Sequence, residues 1–162
     1  MRSFSRLLTV GSVMTVAAVA GSADAVAADT PPHTVETFQY PQADKIFKER
    51  GILLKSGDGH ITLVTCDSRP DLIEVSASGM SQLDPVGNGR YCFRVTGKSG
   101  YLSLQLPRVY GAKGNNYDVN VHMQTDSEDK SFALDKNTWT SVGKTTDPQG
   151  RDFSLLEINA KK

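Results

Sequence analysis

The chain reads as an all-β protein, an antiparallel β-sandwich of about eight strands, jelly-roll-like or loosely immunoglobulin-like, with one disulfide and at most one short helix. Three observations lead there. Short apolar runs recur between Gly, Asn, Asp and Ser clusters from Gly51 onward. Several runs alternate with period two: Leu102, Leu104 and Leu106 oppose Ser103 and Gln105, and Val119, Val121 and Met123 oppose Asn120 and His122. No strand-like run alternates with a convincing helix, which argues against a parallel α/β sheet. One apolar and one polar face per strand requires two sheets that close over each other.

The amino terminus has a different character. Arg2 and Arg6 precede an apolar stretch from Leu7 to Val19, and small residues follow up to Ala28. These are the three parts of a secretory leader, and the apolar stretch is too short for the roughly 20 residues of a membrane span. Residues 1–27 are expected to be a signal peptide, cut after Ala25 or Ala27, and 28–33 a flexible tail. Residues 34–162 then form a single sandwich domain that is secreted, monomeric and without a membrane span.

Of 18 basic and 18 acidic residues, Arg2, Arg6 and Asp24 leave with the leader, so the remainder is near charge −1. The signs are mixed along the chain. That balance offers no footprint for nucleic acid or an anionic membrane. Two cysteines, Cys66 and Cys92, fall in the exported part. An even count in an oxidising space implies a structural bridge, and closing that loop stabilises by roughly 3–4 kcal/mol. Cys92 shares a strand face with Arg94, so the bridge should join neighbouring strands or a strand and a loop on the polar side. It should not cross the core as in an immunoglobulin domain.

The elements follow in order. Thr34 to Tyr40 is a candidate first strand. Asp44 to Arg50 is the one plausible helix, with Asp44 to cap it, Ile46 and Phe47 as its apolar side and Gly51 to end it. Ile52 to Lys55 and His60 to Thr65 flank Ser56-Gly57-Asp58-Gly59, a hairpin signal. Leu72 to Ala77 is the next strand. Arg90 to Thr96 and Tyr101 to Leu106 flank Gly97-Lys98-Ser99-Gly100, a second hairpin signal. Tyr117 to Thr125, a polar tip at Asp126-Ser127-Glu128-Asp129, and Ser131 to Leu134 come next. Trp139 to Val142 is a short edge piece, its tryptophan expected to pack on the core, and Asp152 to Ala160 is the last strand.

No catalytic set emerges. Ser56, Asp58 and His60 lie within five residues broken by glycines and serve a turn rather than a triad. His33, His60 and His122 lack paired metal-ligand spacing, so no metal site is expected. Asp126, Glu128 and Asp129 lack the pattern of a calcium loop. Asp67, Asp71, Glu74, Asp84 and Asp118 offer carboxylates, but nothing singles out a hydrolytic pair.

The stretch Pro107 to Asn116 is long for a connection and holds Arg108, Tyr110, Lys113 and Asn115, residue types that recur where proteins recognise partners. These four are the candidate binding residues. The favoured function is a secreted, non-catalytic binding module without a cofactor, its partner an extracellular protein or polysaccharide. The alternatives are an exported hydrolase acting on cell-wall or environmental polymers, and a small secreted protease inhibitor presenting an exposed rigid loop.

Overall fold

A computed structural model describes residues 37–162 apart from Ser68. The leader, the tail and the start of the first expected strand lie outside the described residues. Two antiparallel sheets form a β-sandwich. The chain runs β1 (Phe38–Gln39), α1 (Ala43–Arg50), β2 (Leu53–Gly57), β3 (Ile61–Val64), β4 (Leu72–Ala77), β5 (Arg90–Val95), β6 (Ser99–Leu106), β7 (Val109–Lys113), β8 (Asp118–Gln124), β9 (Asp129–Leu134), β10 (Trp139–Ser141) and β11 (Ser154–Lys161). One sheet has six strands in the order β1-β2-β6-β11-β8-β9, the other five in the order β10-β7-β4-β5-β3.

Strand alternation builds the core as expected. Leu102, Leu104 and Leu106 of β6, Val119, Val121 and Met123 of β8, and Tyr91, Phe93 and Val95 of β5 meet in one buried cluster, joined by Ile73 and Val75 of β4. Each such side chain stabilises by about 1.5–3 kcal/mol on leaving water. The count reaches eleven strands where about eight were expected. β1 and β10, expected as a candidate first strand and a short edge piece, are only two and three residues long. The strand that was not expected, β7, occupies the stretch that resembles a loop, because Gly111 interrupts its apolar residues and Arg108 and Gly114 flank it.

Both expected hairpins are instead crossings between the sheets. β2 belongs to the six-stranded sheet and β3 to the five-stranded one, and β5 and β6 divide likewise. A short glycine turn between two alternating runs serves either geometry, since a strand that changes sheets keeps its inward face. The two crossings lie side by side. The Asp58 carboxylate in the first accepts the backbone N–H of Tyr101 beyond the second at 3.0 Å and that of His60 at 2.9 Å. Gly57 is required here because a Cβ would stand 2.5 Å from the Tyr101 carbonyl oxygen.

Helix α1 begins one residue before Asp44, and Gln42 occupies the N-cap position without a side-chain cap bond. Gly51 ends it as expected, left-handed at φ 66° with its N–H on the Phe47 carbonyl. Ile46 packs on the core, whereas Phe47 is exposed. Tyr40, just before the helix, accepts the Leu63 N–H on its hydroxyl at 2.8 Å, which covers a backbone donor of the edge strand β3.

Cys66 and Cys92 form the disulfide, with Cα atoms 5.2 Å apart. Cys66 lies two residues beyond β3, and Cys92 sits in β5, the neighbour of β3, so the bridge joins a loop to the adjacent strand outside the core. Cys92 has the expected parity but is fully buried rather than wet.

Candidate functional site

The four residues singled out by the sequence do not form one cluster. Arg108 precedes β7 with φ 57°, its carbonyl accepts the Ser78 N–H at 2.9 Å, and its guanidinium donates to the Gly79 carbonyl at 3.0 Å. It ties the turn after β4 to the start of β7. Asn115 is buried: its amide donates to the Asp71 carbonyl at 3.0 Å and its oxygen accepts the Tyr117 N–H at 3.0 Å. Lys113 reaches Glu74 at 3.2 Å, and Arg90 also bonds that carboxylate. Burial raises the Glu74 pKa, and these two cations more than offset it, leaving the group below its ordinary value. Tyr110 alone stands free, 43% exposed.

Tyr110 belongs to a surface the sequence did not reveal. Between Ser76 and Ala77 the pairing of β4 with β7 shifts by one residue, so Ser76 faces Gly111 and Ala77 faces Val109. Tyr110 is the extra residue of this bulge, and a bulge re-aims the side chains beside it. Its carbonyl is held by the Val142 N–H at 3.3 Å and the Thr145 hydroxyl at 2.8 Å. On the other side of β7, β10 pairs Trp139 with Lys113 and Ser141 with Gly111. Gly111 leaves room for the indole, two of whose carbons lie 3.7 and 3.8 Å from where a Cβ on Gly111 would stand. Trp139 therefore rests across the backbone of β7 and remains 48% exposed, rather than entering the core. A large aromatic at the terminal strand of the sheet, a second beside it and an ion-paired rim make up this edge.

A second constellation lies on the outer face of the six-stranded sheet. His122 of β8 has Nδ1 3.3 Å from the Ser131 hydroxyl and Nε2 3.6 Å from an Asp129 oxygen. The residue types match a hydrolytic triad, but the arrangement does not. The serine and carboxylate contacts are long, Asp129 is 58% exposed, and all three sit on the β8–β9 hairpin at the end of the sheet. A carboxylate so exposed is solvated, whereas a catalytic carboxylate that orients its histidine is buried.

Two further charged groups are held in networks within the fold. Asp84 is buried against Arg50, and Arg151 bridges Asp147 and Glu128. His60 is half exposed and 3.4 Å from Asp58. Among the described residues, no group of three or more His, Cys, Asp or Glu side chains is placed to hold a metal ion, and no helix is long and apolar enough to cross a membrane. No family model matches the chain, and no curated protein matches it.

Proposed function

We propose that the protein is an exported, non-catalytic module that binds a protein partner through the Trp139–Gly111–Tyr110 edge of its five-stranded sheet. The observation that carries this reading is the position of Trp139, laid across Gly111 with half of its surface in water. Leaving a tryptophan so placed gives up burial that the nearby core offers to other aromatics, and Trp and Tyr dominate the energetics of protein interfaces. The Glu74, Lys113 and Arg90 ion pairs beside it supply the polar rim such anchors need. Strand β10 ends its sheet, so a partner strand also finds backbone groups there.

The hydrolase reading draws little support from an exposed Ser131–His122–Asp129 group. For the inhibitor reading, the rigid segment is the loop after β4, pinned by Asp84, which also accepts the Gly87 N–H at 2.9 Å. Its backbone is a succession of turns rather than the extended strand a protease active site takes up. The test is a pull-down of the exported protein against secreted proteins, including serine proteases. Retention should fall at least tenfold in the Tyr110→Ala/Trp139→Ala variant. Undiminished retention would overturn the site.

A further inference from the structure

The outer face of the six-stranded sheet has an unusual composition and lies on a different sheet from the aromatic edge. Its cross-strand rows follow from the register. Tyr101, Asn159 and Asn120 stand side by side on β6, β11 and β8, and the next row runs Ser103, Glu157, His122, Ser131. Three adjacent strands place the first row over about 10 Å. A free sheet face is ordinarily solvated by long lysine, arginine and glutamate side chains. These two rows hold neither lysine nor arginine: beside the carboxylate of Glu157 they present the amides of Asn120 and Asn159, the hydroxyls of Ser103 and Ser131, the Tyr101 ring and the His122 imidazole. Such side chains lose little rotamer entropy when a ligand orders them.

A hollow of about 340 Å³ opens at the end of this face, lined by Tyr101, Asn120 and Asn159, with Asp58, Asp118 and Lys161 around it. The Tyr101 ring is anchored, since its hydroxyl donates to Glu157 at 3.2 Å. The two rim carboxylates are engaged: Asp58 accepts the His60 and Tyr101 N–H groups, and Asp118, which stands opposite Lys161 in the register, meets Lys136 at 2.8 Å.

The geometry points to a neutral glycan chain as the occupant of this face, with a sugar ring against Tyr101 and its hydroxyls read by Asn120 and Asn159. Charge decides the class. Around the hollow and its rows the carboxylates Asp58, Asp118 and Glu157 outnumber the one lysine, Lys161, and this negative balance disfavours uronic acid polymers, phosphates and nucleic acid. A protein partner would need an apolar, well-packed centre, which these rows do not have. Dense hydroxyls suit amide groups that donate and accept at once, and an anchored aromatic ring offers the apolar face on which a pyranose stacks.

The experiment titrates the exported protein with soluble hexasaccharides of β-1,4-linked glucose, N-acetylglucosamine and xylose, with polygalacturonate as the anionic probe. Nuclear magnetic resonance follows the Asn120 and Asn159 side-chain amides and the Trp139 indole. At least one neutral hexasaccharide should move both asparagine amides and leave the indole in place. Asn120→Ala/Asn159→Ala should weaken that binding at least tenfold at an unchanged melting temperature, whereas Trp139→Ala should not alter it. The inference is overturned if no neutral hexasaccharide binds, if polygalacturonate alone binds, if the double variant binds normally, or if the indole moves in place of the amides. Failure of the glycan titration leaves the protein-binding edge to be judged by its own variant, and a glycan that moves the indole would place the sugar on that edge instead of on this face.

Discussion

The Arg50 guanidinium meets the Asp84 carboxylate with Nε 2.5 Å from Oδ1, joining the end of helix α1 to the loop after β4. Asp84 is fully buried, and its second partner is the Gly87 N–H in its own loop. The Tyr91 hydroxyl donates to the Arg50 carbonyl at 2.6 Å, so the helix end, the loop and the core strand β5 are locked together. Burial, with the Asp84 charge adding to it, pushes the Tyr91 pKa upward.

Removing one partner of this pair leaves the other without compensation. Asp84→Ala is expected to destabilise the fold by about 3 kcal/mol, the scale for breaking a buried ion pair. Urea unfolding followed by circular dichroism measures it. A loss below about 1 kcal/mol, the level of an exposed pair, would show that Asp84 does not hold the loop.

The Cys66–Cys92 bridge closes a loop of 26 residues that includes all of β4. The paired variant Cys66→Ala/Cys92→Ala should lower stability by about 3 kcal/mol while keeping the β-sheet spectrum, because the core lies inside the sheets and the bridge outside them. Complete unfolding of the variant at 25 °C would place the bridge among the determinants of the fold itself.

Gly143 opens the 3₁₀ turn after β10 with φ 58°, and a Cβ there would stand 2.4 Å from the Val109 carbonyl oxygen. Gly143→Ala is therefore expected to cost about 1–2 kcal/mol from the left-handed backbone alone, with the collision adding to it. Gly111→Ala brings its Cβ only to ordinary contact with the indole and should be nearly neutral. Equal melting temperatures for the two variants would contradict this contrast.

Acid should weaken the fold in a defined window. The Arg151 side chain and backbone N–H hold the Asp147 carboxyl well below the usual carboxylate range, and Arg151 and then Lys130 lower Glu128. Glu74 is lowered against its own burial by Arg90 and Lys113. The unfolded chain takes up these protons near the ordinary values of 3.8 and 4.5, above the native ones. Stability contributed by these groups is thus full above that range and lost as pH falls through the lower native values. A melting temperature that stays level down to about pH 5 and then declines is the expected profile; one that rises on acidification would contradict it.

The faces of the strands were legible because Leu102 to Leu106 and Val119 to Met123 alternate without a break and bury one side. Gly51 marked the helix end for a reason local to that residue, and Trp139 to Val142 read as an edge piece, but the tryptophan expected on the core lies half exposed across Gly111. Strand order was not legible: Gly57-Asp58-Gly59 makes as good a turn within a sheet as between sheets, and only the partner strands decide. The same limit hid β7. Its bulge at Tyr110 depends on the register against β4, and the room for Trp139 depends on Gly111 standing opposite Ser141, 30 residues away in sequence. Of the four candidate residues, Tyr110 lies at the proposed edge and Lys113 in its rim. Arg108 and Asn115 hold backbone carbonyls, a role their types share with binding residues.

Trp139 is the single tryptophan of the chain, so its fluorescence reports directly on the proposed edge. Titrating a retained protein partner should shift the Trp139 emission to shorter wavelength and shield it from acrylamide quenching as the complex saturates. A partner that binds to saturation while emission and quenching stay as in the free protein would contradict the account.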